Sequence, residues 1–134
     1  MNGPPRSVLV VEDDQDLSGL MQIILGEAGY SVRLAENGAV ALASVAEEMP
    51  GLVLLDMRMP VMNGWEFARE FRARHGRAAR IVVVTAAENA KLRAQEVEAD
   101  GWLEKPFDLD VVLDTVARHL AAPAPSSGEA SGAR

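Results

Sequence analysis

Three short, uninterrupted apolar runs constrain the fold of this chain more than any other feature. They are "VLVV" at residues 8–11, "LVLL" at 52–55 and "IVVV" at 81–84. Runs of this length are typical of strands that are covered on both faces. Segments with helical periodicity separate them, so each strand is expected to connect to the next through a helix. The pattern predicts an α/β fold in which a parallel sheet has helices on both sides.

Two further strand candidates are expected at the edges of that sheet. "SVRLA" alternates between apolar and polar residues, and "DGWLE" is short and polar at both ends. The five predicted strands are Ser7–Glu12, Ser31–Ala35, Leu52–Asp56, Arg80–Val84 and Gly101–Glu104. With the three apolar strands in the centre, the strand order becomes 2-1-3-4-5. That order belongs to the doubly wound, flavodoxin-like folds, so the topology is matched to a known class.

Five helices are predicted, and residues suited to helix starts precede four of them. These residues are Asp14, Asn37, Asn63 and Asp108. Asn63 also has Glu66 three positions later, the spacing of a capping box. In the first helix, the apolar positions at helical spacing are Leu17, Leu20, Met21, Ile24, Leu25 and Ala28. The weakest of the predicted helices lies at 88–98, because its inward positions carry small residues.

Length and composition set limits on the kind of protein this is. A chain of 134 residues suggests one domain, and the absence of cysteine excludes disulfides and thiolate chemistry. A net charge of −7 argues against a broad nucleic-acid-binding face. No apolar run approaches the length of a membrane span or a signal peptide, so we expect a cytoplasmic location without membrane contact. We expect a disordered segment at 1–6, a folded domain at 7–120 and a disordered tail or linker at 121–134.

Polar residues follow the predicted strands at their carboxyl ends, where this kind of sheet binds ligands. They are Glu12, Asp13 and Asp14 after strand one, Asp56 at the end of strand three, Thr85 after strand four and Lys105 after strand five. Several carboxylates stay ionised together only beside a compensating cation, and one lysine is not enough. Oxygen ligands favour Mg²⁺, with phosphate oxygens completing its shell. The cluster therefore predicts a site where a phosphoryl group meets a carboxylate and Mg²⁺.

Four segments in order, "VLVVEDD", "LVLLDMRMPVMNGWEF", "IVVVTA" and "LEKPF", resemble the receiver domain of two-component response regulators, the family of the chemotaxis receiver. The resemblance runs from about Ser7 to Leu120. It implies a signalling domain that catalyses its own phosphorylation and dephosphorylation but turns over no separate substrate. The expected phosphoryl donor is a sensor histidine kinase or a phosphotransfer protein, and the expected target is a further protein.

The resemblance also implies roles for individual residues. Asp56 matches the phosphoacceptor, and Asp13 matches a direct Mg²⁺ ligand. Glu12 matches an acidic residue that usually binds the ion through water. Asp56 and the backbone carbonyl of Arg58 would complete the ligands that the protein supplies.

Further positions match the residues that respond to phosphorylation in this family. Thr85 matches the hydroxyl that closes onto the phosphoryl group, and Lys105 matches the lysine that pairs with it. The Lys105–Pro106 bond resembles the family's cis peptide. Trp102 stands at the switch position, where tyrosine or phenylalanine is usual. Helix four, strand five and helix five would form the surface that changes, in a monomer or in a dimer that depends on phosphorylation.

Three alternatives remain beside the receiver interpretation. A Mg²⁺-dependent phosphohydrolase of the haloacid-dehalogenase type needs a D-x-D pattern, which "DMRMP" lacks. A pseudo-receiver that binds partners without phosphorylation predicts the loss of an acidic residue, and none is lost. A flavodoxin-type nucleotide binder needs a glycine-rich first turn, and this one is acidic. No output domain is recognisable after residue 120, so we expect a stand-alone receiver or a part of a larger protein.

Overall fold

A computed structural model describes residues 6–86 and 89–121. In chain order the elements are β1 (Ser7–Val11), α1 (Gln15–Glu27), β2 (Ser31–Ala35), α2 (Gly38–Glu47), β3 (Leu52–Asp56), α3 (Gly64–His75), β4 (Arg80–Ala86), α4 (Ala90–Glu96), β5 (Gly101–Lys105) and α5 (Leu109–Ala121). Residues 1–5 and 122–134 lie outside the described residues, so the disordered ends stay predictions. None of the described helices is long and apolar enough to span a lipid bilayer.

The five strands form one parallel sheet in the order β2-β1-β3-β4-β5, as predicted. The three continuous apolar runs occupy its centre, and the two mixed sequences form its edges. The central position follows from burial, because residues on both faces of β1, β3 and β4 are covered. The flavodoxin-like α/β fold class is therefore confirmed.

Two hydrophobic layers, one on each face of the sheet, hold the helices in place. Alternate strand residues such as Val53 and Leu55 pack against α2, α3 and α4, where Phe67 and Phe71 are fully buried. The intervening strand residues pack against α1 and α5. Burying one such side chain contributes about 1.5–3 kcal/mol, so the two layers fix the strands and their ends.

The inward face of α1 differs from the prediction. Leu20 is 45% exposed and Ala28 is exposed, whereas Ser18, Met21 and Leu25 are buried. Apolar residues occupy more than one side of this helix, so periodicity alone could not select the buried side. Contacts with the sheet select it instead.

Several element boundaries also differ from the prediction. β1 ends at Val11, one residue earlier than expected, while β4 continues to Ala86 and β5 to Lys105. The two strands extend together because Ala86 of β4 pairs with Lys105 of β5. Helix α4 covers only seven residues of the segment 88–98, and no side chain caps its first turn.

The start of α3 is fixed tightly to the end of β3. Asn63 and Glu66 form the predicted capping box, and the Gly64 N–H donates a hydrogen bond of 3.1 Å to the Met57 carbonyl. A Cβ atom at Gly64 would lie 2.8 Å from the Asp56 carbonyl oxygen and 2.6 Å from Met57 Sδ. Only glycine permits this approach, so the position of α3 is set by the backbone that carries Asp56.

We predict that Gly64→Ala lowers the free energy of unfolding by about 2 kcal/mol, because the added methyl group forces the backbone apart. Gly19→Ala is the matched control, since a Cβ there meets nothing within 4 Å. It should raise the free energy of unfolding by about 0.5–1 kcal/mol, because alanine favours a helix interior. Urea denaturation measures both. Equal stability of Gly64→Ala and the wild type would contradict the close contact.

Candidate functional site

The carboxyl ends of the strands bring the predicted polar residues to one rim of the sheet. Asp56 is the last residue of β3, Glu12 directly follows β1, and Lys105 is the last residue of β5. The backbone continues past β1 because the Glu12 N–H donates to the Ala35 carbonyl at 3.0 Å. Glu12 and Asp56 are therefore held by strands that are almost entirely buried, whereas Lys105 is held by the partly exposed edge strand β5.

Three carboxylates form the centre of the site. Glu12, Asp13 and Asp56 each place a carboxylate oxygen within 4.8 Å of the others. Glu12 and Asp56 are each only 5% exposed, whereas Asp13 is exposed to solvent. An oxygen-only donor set that is closed on one side and open on the other fits a hard divalent cation that keeps several waters.

Lys105 supplies the positive charge within this cluster. Its Nζ lies 2.9 Å from Glu12 Oε1 and 3.8 Å from Asp56 Oδ2. The peptide bond that follows it, Lys105–Pro106, is cis, as the resemblance implies. One ammonium against three ionised carboxylates leaves a charge of −2, so the cluster lacks positive charge until a further cation binds.

The lack of positive charge in the cluster affects the protonation of Asp56. Burial raises its pKa most, and the negative charge of Glu12 raises it further. The charge of Lys105 and the Arg58 N–H, which donates to Asp56 Oδ1 at 3.2 Å, both lower it. The balance raises the pKa of Asp56 from its ordinary value of 3.8 to about 7.

The contact of Arg58 is made by its backbone. Its N–H reaches Asp56, while its side chain is exposed. The predicted role concerned the Arg58 carbonyl, which belongs to the same loop beside the carboxylate. The structure thus places this residue next to Asp56 through a different backbone atom from the one named in the prediction.

Thr85 and Trp102 lie on neighbouring strands but in different environments. Thr85 is buried in β4, one residue before the strand ends, and pairs with Glu104 of β5. Trp102 pairs with Val83 and is 42% exposed. Among residues 6–86 and 89–121, no hydrogen bond joins Thr85 to Asp56 or Lys105. The structure therefore brings Thr85 to the same rim without engaging its hydroxyl in the cluster.

Two features of the site were not predicted from the sequence. The Asp14 N–H donates to Glu12 Oε2 at 3.2 Å while the Asp14 side chain caps α1, so this residue also orients Glu12. Val61, in the loop after Asp56, has a positive φ of 69° and is highly exposed. For the first of these features, the contact of Asp14 with Glu12, the capping pattern at Asp14 is a usable sequence signal. A valine gives no signal for the second, because β-branched residues rarely adopt that conformation.

We predict that Asp56→Asn stabilises the metal-free protein increasingly as the pH rises. Below pH 4 the carboxyl is protonated in the folded and unfolded chains alike. Between pH 4 and 7 the unfolded chain loses this proton and the folded chain keeps it, so the wild type loses stability relative to the variant. The relative gain should approach about 4 kcal/mol above pH 7, at about 1.4 kcal/mol for each tenfold change in proton affinity.

Urea denaturation in a chelating buffer at several pH values measures this difference. An Asp110→Asn variant is the control, because Asp110 is exposed on α5. A difference between Asp56→Asn and the wild type that stays constant from pH 4 to pH 8 would contradict the raised pKa.

Comparison with known proteins agrees with this arrangement. Residues 8–117 match the response regulator receiver domain family. The response regulator MprA of Mycobacterium sp. (strain KMS) is 35% identical over 131 residues, which are 96% of this chain and 56% of MprA. The chain spans about half the length of the curated relatives that it matches.

Two solved structures share the fold and more than a quarter of the aligned sequence. The response regulator TrrA of Thermotoga maritima, in complex with Mg²⁺-BeF, is 32% identical with a TM-score of 0.76. The chemotaxis protein CheY4 of Vibrio cholerae is also 32% identical, with a TM-score of 0.77. Each comparison covers 85% of this chain and 98% of the solved chain. The chain therefore belongs to the response regulator receiver domains and is a receiver domain of two-component signalling.

Proposed function

We propose that Asp56 accepts a phosphoryl group from a phosphohistidine donor in a Mg²⁺-dependent reaction, and that this changes a partner-binding surface. The observation that carries the proposal is the convergence of Glu12, Asp13 and Asp56 within 4.8 Å of one another, with Lys105 Nζ 3.8 Å from Asp56 Oδ2. A nucleophile, a divalent-cation site and a fixed ammonium are the groups that phosphoryl transfer to a carboxylate needs.

Residues at the rim have distinct parts in this reaction. An ionised Asp56 oxygen forms the O–P bond as the P–N bond of the donor breaks, and the imidazole leaves after taking up a proton. The Lys105 ammonium pairs with the phosphoryl oxygens, and the Thr85 hydroxyl donates to another of them. Because these groups are held by strands, they need little reorganisation as charge shifts in the transition state.

The proposed Mg²⁺ site uses Asp13 and Asp56 directly, Glu12 through water and the Arg58 carbonyl. When bound there, the ion would offset the clustered negative charge and keep Asp56 ionised at neutral pH. The donor set supports this assignment because it consists of oxygens alone. The complex of TrrA with Mg²⁺-BeF supports it further, since that protein shares 32% of its aligned residues with this chain.

The proposed response to phosphorylation runs through Thr85 and the outer face of α4, β5 and α5. As Thr85 turns toward the phosphoryl group, Trp102 on the adjacent strand is expected to change its packing. Exposed apolar side chains already mark this face, and they are Leu92, Trp102, Leu109 and Val111. We propose that the face binds a downstream protein, or a second copy of the chain in a dimer that depends on phosphorylation.

The wider setting is part of the same proposal. We propose that residues 7–120 act as the receiver, with a sensor histidine kinase or phosphotransfer protein as donor. Such donors are phosphorylated inside the cell, so we propose a cytoplasmic location. The domain catalyses its own phosphorylation and dephosphorylation. The net charge of −7 supports action through protein contacts rather than through nucleic acid.

We predict a phosphoryl-sized gain in intact mass when the protein is incubated with acetyl phosphate and Mg²⁺. The gain should vanish in Asp56→Asn and in a chelating buffer, because the first removes the nucleophile and the second removes the cation. Asp110→Asn, at an exposed aspartate of α5, should keep the full gain. A gain that persists in Asp56→Asn would refute Asp56 as the acceptor.

We predict opposite effects of Lys105→Ala on metal binding and on phosphorylation. Removing the ammonium should tighten Mg²⁺ binding, because the carboxylates lose a competing cation. It should slow phosphorylation by acetyl phosphate by about tenfold or more, because the transition state loses a fixed positive charge. Calorimetry measures the first effect, and mass spectrometry over time measures the second.

The chain's other lysine, Lys91, is exposed on α4 and offers a matched control. Lys91→Ala should alter neither quantity. A Lys105→Ala variant that is phosphorylated at the wild-type rate would refute the proposed role of Lys105.

A further inference from the structure

Three side chains join α3 to α4 on one side of the molecule. Trp65 Nε1 donates a hydrogen bond of 2.8 Å to Glu96 Oε1. The Arg93 guanidinium forms an ion pair with the same oxygen at 3.4 Å and lies 5.7 Å from the centre of the Trp65 ring. We call Trp65, Glu96 and Arg93 the α3–α4 latch. Hydrogen bonds to a charged group are stronger than neutral ones, so the latch is a substantial contact for its size.

The two ends of the latch are attached to the two halves of the candidate site. Trp65 follows Gly64, whose backbone packs directly against the Asp56 carbonyl. Glu96 and Arg93 belong to α4, the helix that follows the strand carrying Thr85. The latch therefore links a helix that packs against the Asp56 backbone to the helix that follows the strand carrying Thr85.

Other contacts of α4 are mostly with small side chains, although Val97 at its end is buried in the core and Arg72 of α3 donates a hydrogen bond of 2.8 Å to the Glu98 carbonyl. The helix has seven residues, its N-cap residue Asn89 makes no side-chain hydrogen bond, and Glu98 beyond its end has a positive φ of 55°. Ala90 and Ala94 are its buried residues, and alanine removes little apolar surface from water. Among the described residues, the latch is the polar side-chain contact between α3 and α4 themselves, beside the bond from Arg72 to the Glu98 carbonyl just beyond α4.

Some polar side-chain atoms between the two helices are incompletely hydrogen-bonded. A cleft of about 520 Å³ opens there, with Trp65, Arg72, Glu96 and Glu98 among its lining residues. Within the described part of the chain, the buried Nε of Arg72 has no hydrogen-bond partner, and the Nε of Arg93 meets Glu96 Oε1 as an ion pair at 3.4 Å without hydrogen-bond geometry. An unpaired buried donor costs about 1–3 kcal/mol, so the observed contact is not the best that these side chains permit.

We propose that the α3–α4 latch holds α4 in the position of the unphosphorylated domain and so opposes phosphorylation at Asp56. This inference rests on the proposed function. In the observed state Trp102 is turned outward and Thr85 is not bonded to Asp56, which is the arrangement that the latch preserves. By thermodynamic linkage, a contact that forms in only one of two states weakens the binding of a ligand that favours the other state. Trp65, Glu96 and Arg93 are thus positioning residues, since none of them touches the phosphoryl group.

The test measures the affinity of Mg²⁺ and beryllofluoride, a phosphoryl mimic, by fluorine NMR, which counts bound fluoride without using tryptophan. Glu96→Ala removes the shared acceptor, and Gln95→Ala is the matched control at the neighbouring exposed position of α4. Both changes raise helix propensity by similar amounts. We expect Glu96→Ala to bind beryllofluoride about threefold to tenfold more tightly than the wild type, the loss of one charge-assisted contact. Gln95→Ala should bind as the wild type does.

Two further variants separate the latch from simple destabilisation of α4. Trp65→Phe keeps the ring but loses the N–H donor, and it should also tighten binding. Glu96→Gln keeps an oxygen that accepts from Trp65 Nε1, so its affinity should lie between those of the wild type and Glu96→Ala. A merely structural contact would lower the urea midpoint in these variants and leave the beryllofluoride affinity unchanged.

A spectroscopic measurement follows the latch itself. In a Trp102→Phe background Trp65 is the only tryptophan, and its emission should change when Mg²⁺ and beryllofluoride bind. In the same background Glu96→Ala should show the changed emission before the ligand is added. Emission from Trp65 that is indifferent to the ligand would overturn the proposal.

The outcomes also distinguish this inference from the function on which it rests. A wild type that fails to bind beryllofluoride with Mg²⁺ would contradict the proposed function, and the latch with it. A wild type that binds, with Glu96→Ala binding equally or more weakly, would overturn the latch alone. Equal tightening by Glu96→Ala and Gln95→Ala would also overturn it, because helix propensity would then account for the effect.

Discussion

The electrostatic crowding of Glu12, Asp13 and Asp56 is the constraint on which the rest of the structure depends. Carboxylates that repel one another at this distance separate unless the backbone holds them, and here buried strands hold two of the three. The repulsion is balanced in part by Lys105, which reaches the cluster from β5 across β4. The fold thus maintains a site that is less stable without a cation than with one. We therefore expect a bound divalent cation to raise the free energy of unfolding of the domain.

The central sheet is tightly packed, whereas helix α4 buries only small side chains. Both faces of the central strands are covered, so the strand tips cannot yield to the repulsion. The start of α3 shares this rigidity through Gly64, which is pressed against the Asp56 backbone. Helix α4 is packed less firmly, because its buried residues are alanines and the side chain of its N-cap residue Asn89 makes no capping hydrogen bond. We therefore expect a change in charge at the rim to displace α4 and its neighbours rather than the core.

Features governed by local rules were predictable from the sequence. Continuous apolar runs predicted the central strands, and the capping residues Asp14, Asn37 and Asn63 marked their helices correctly. The convergence of Glu12, Asp56 and Lys105 followed from strand order alone. The buried side of α1 was not predictable, because both sides carry apolar residues and only tertiary contact selects Met21 over Leu20. The bond between Trp65 and Glu96 spans 31 residues, and no local pattern signals a pair so distant.

The position of the latch explains how a small contact can influence a site that it does not touch. Trp65 follows Gly64, which packs against the Asp56 backbone, and Glu96 lies on the helix that follows the strand carrying Thr85. A state in which Thr85 lies closer to Asp56 must either keep or break the hydrogen bond between Trp65 Nε1 and Glu96 Oε1. Glu96 is exposed, so its substitution removes this bond without disturbing the core. A substitution at Glu96 therefore changes the balance between the two states by an amount that a substitution in the well-packed α3 could not supply without also damaging the core.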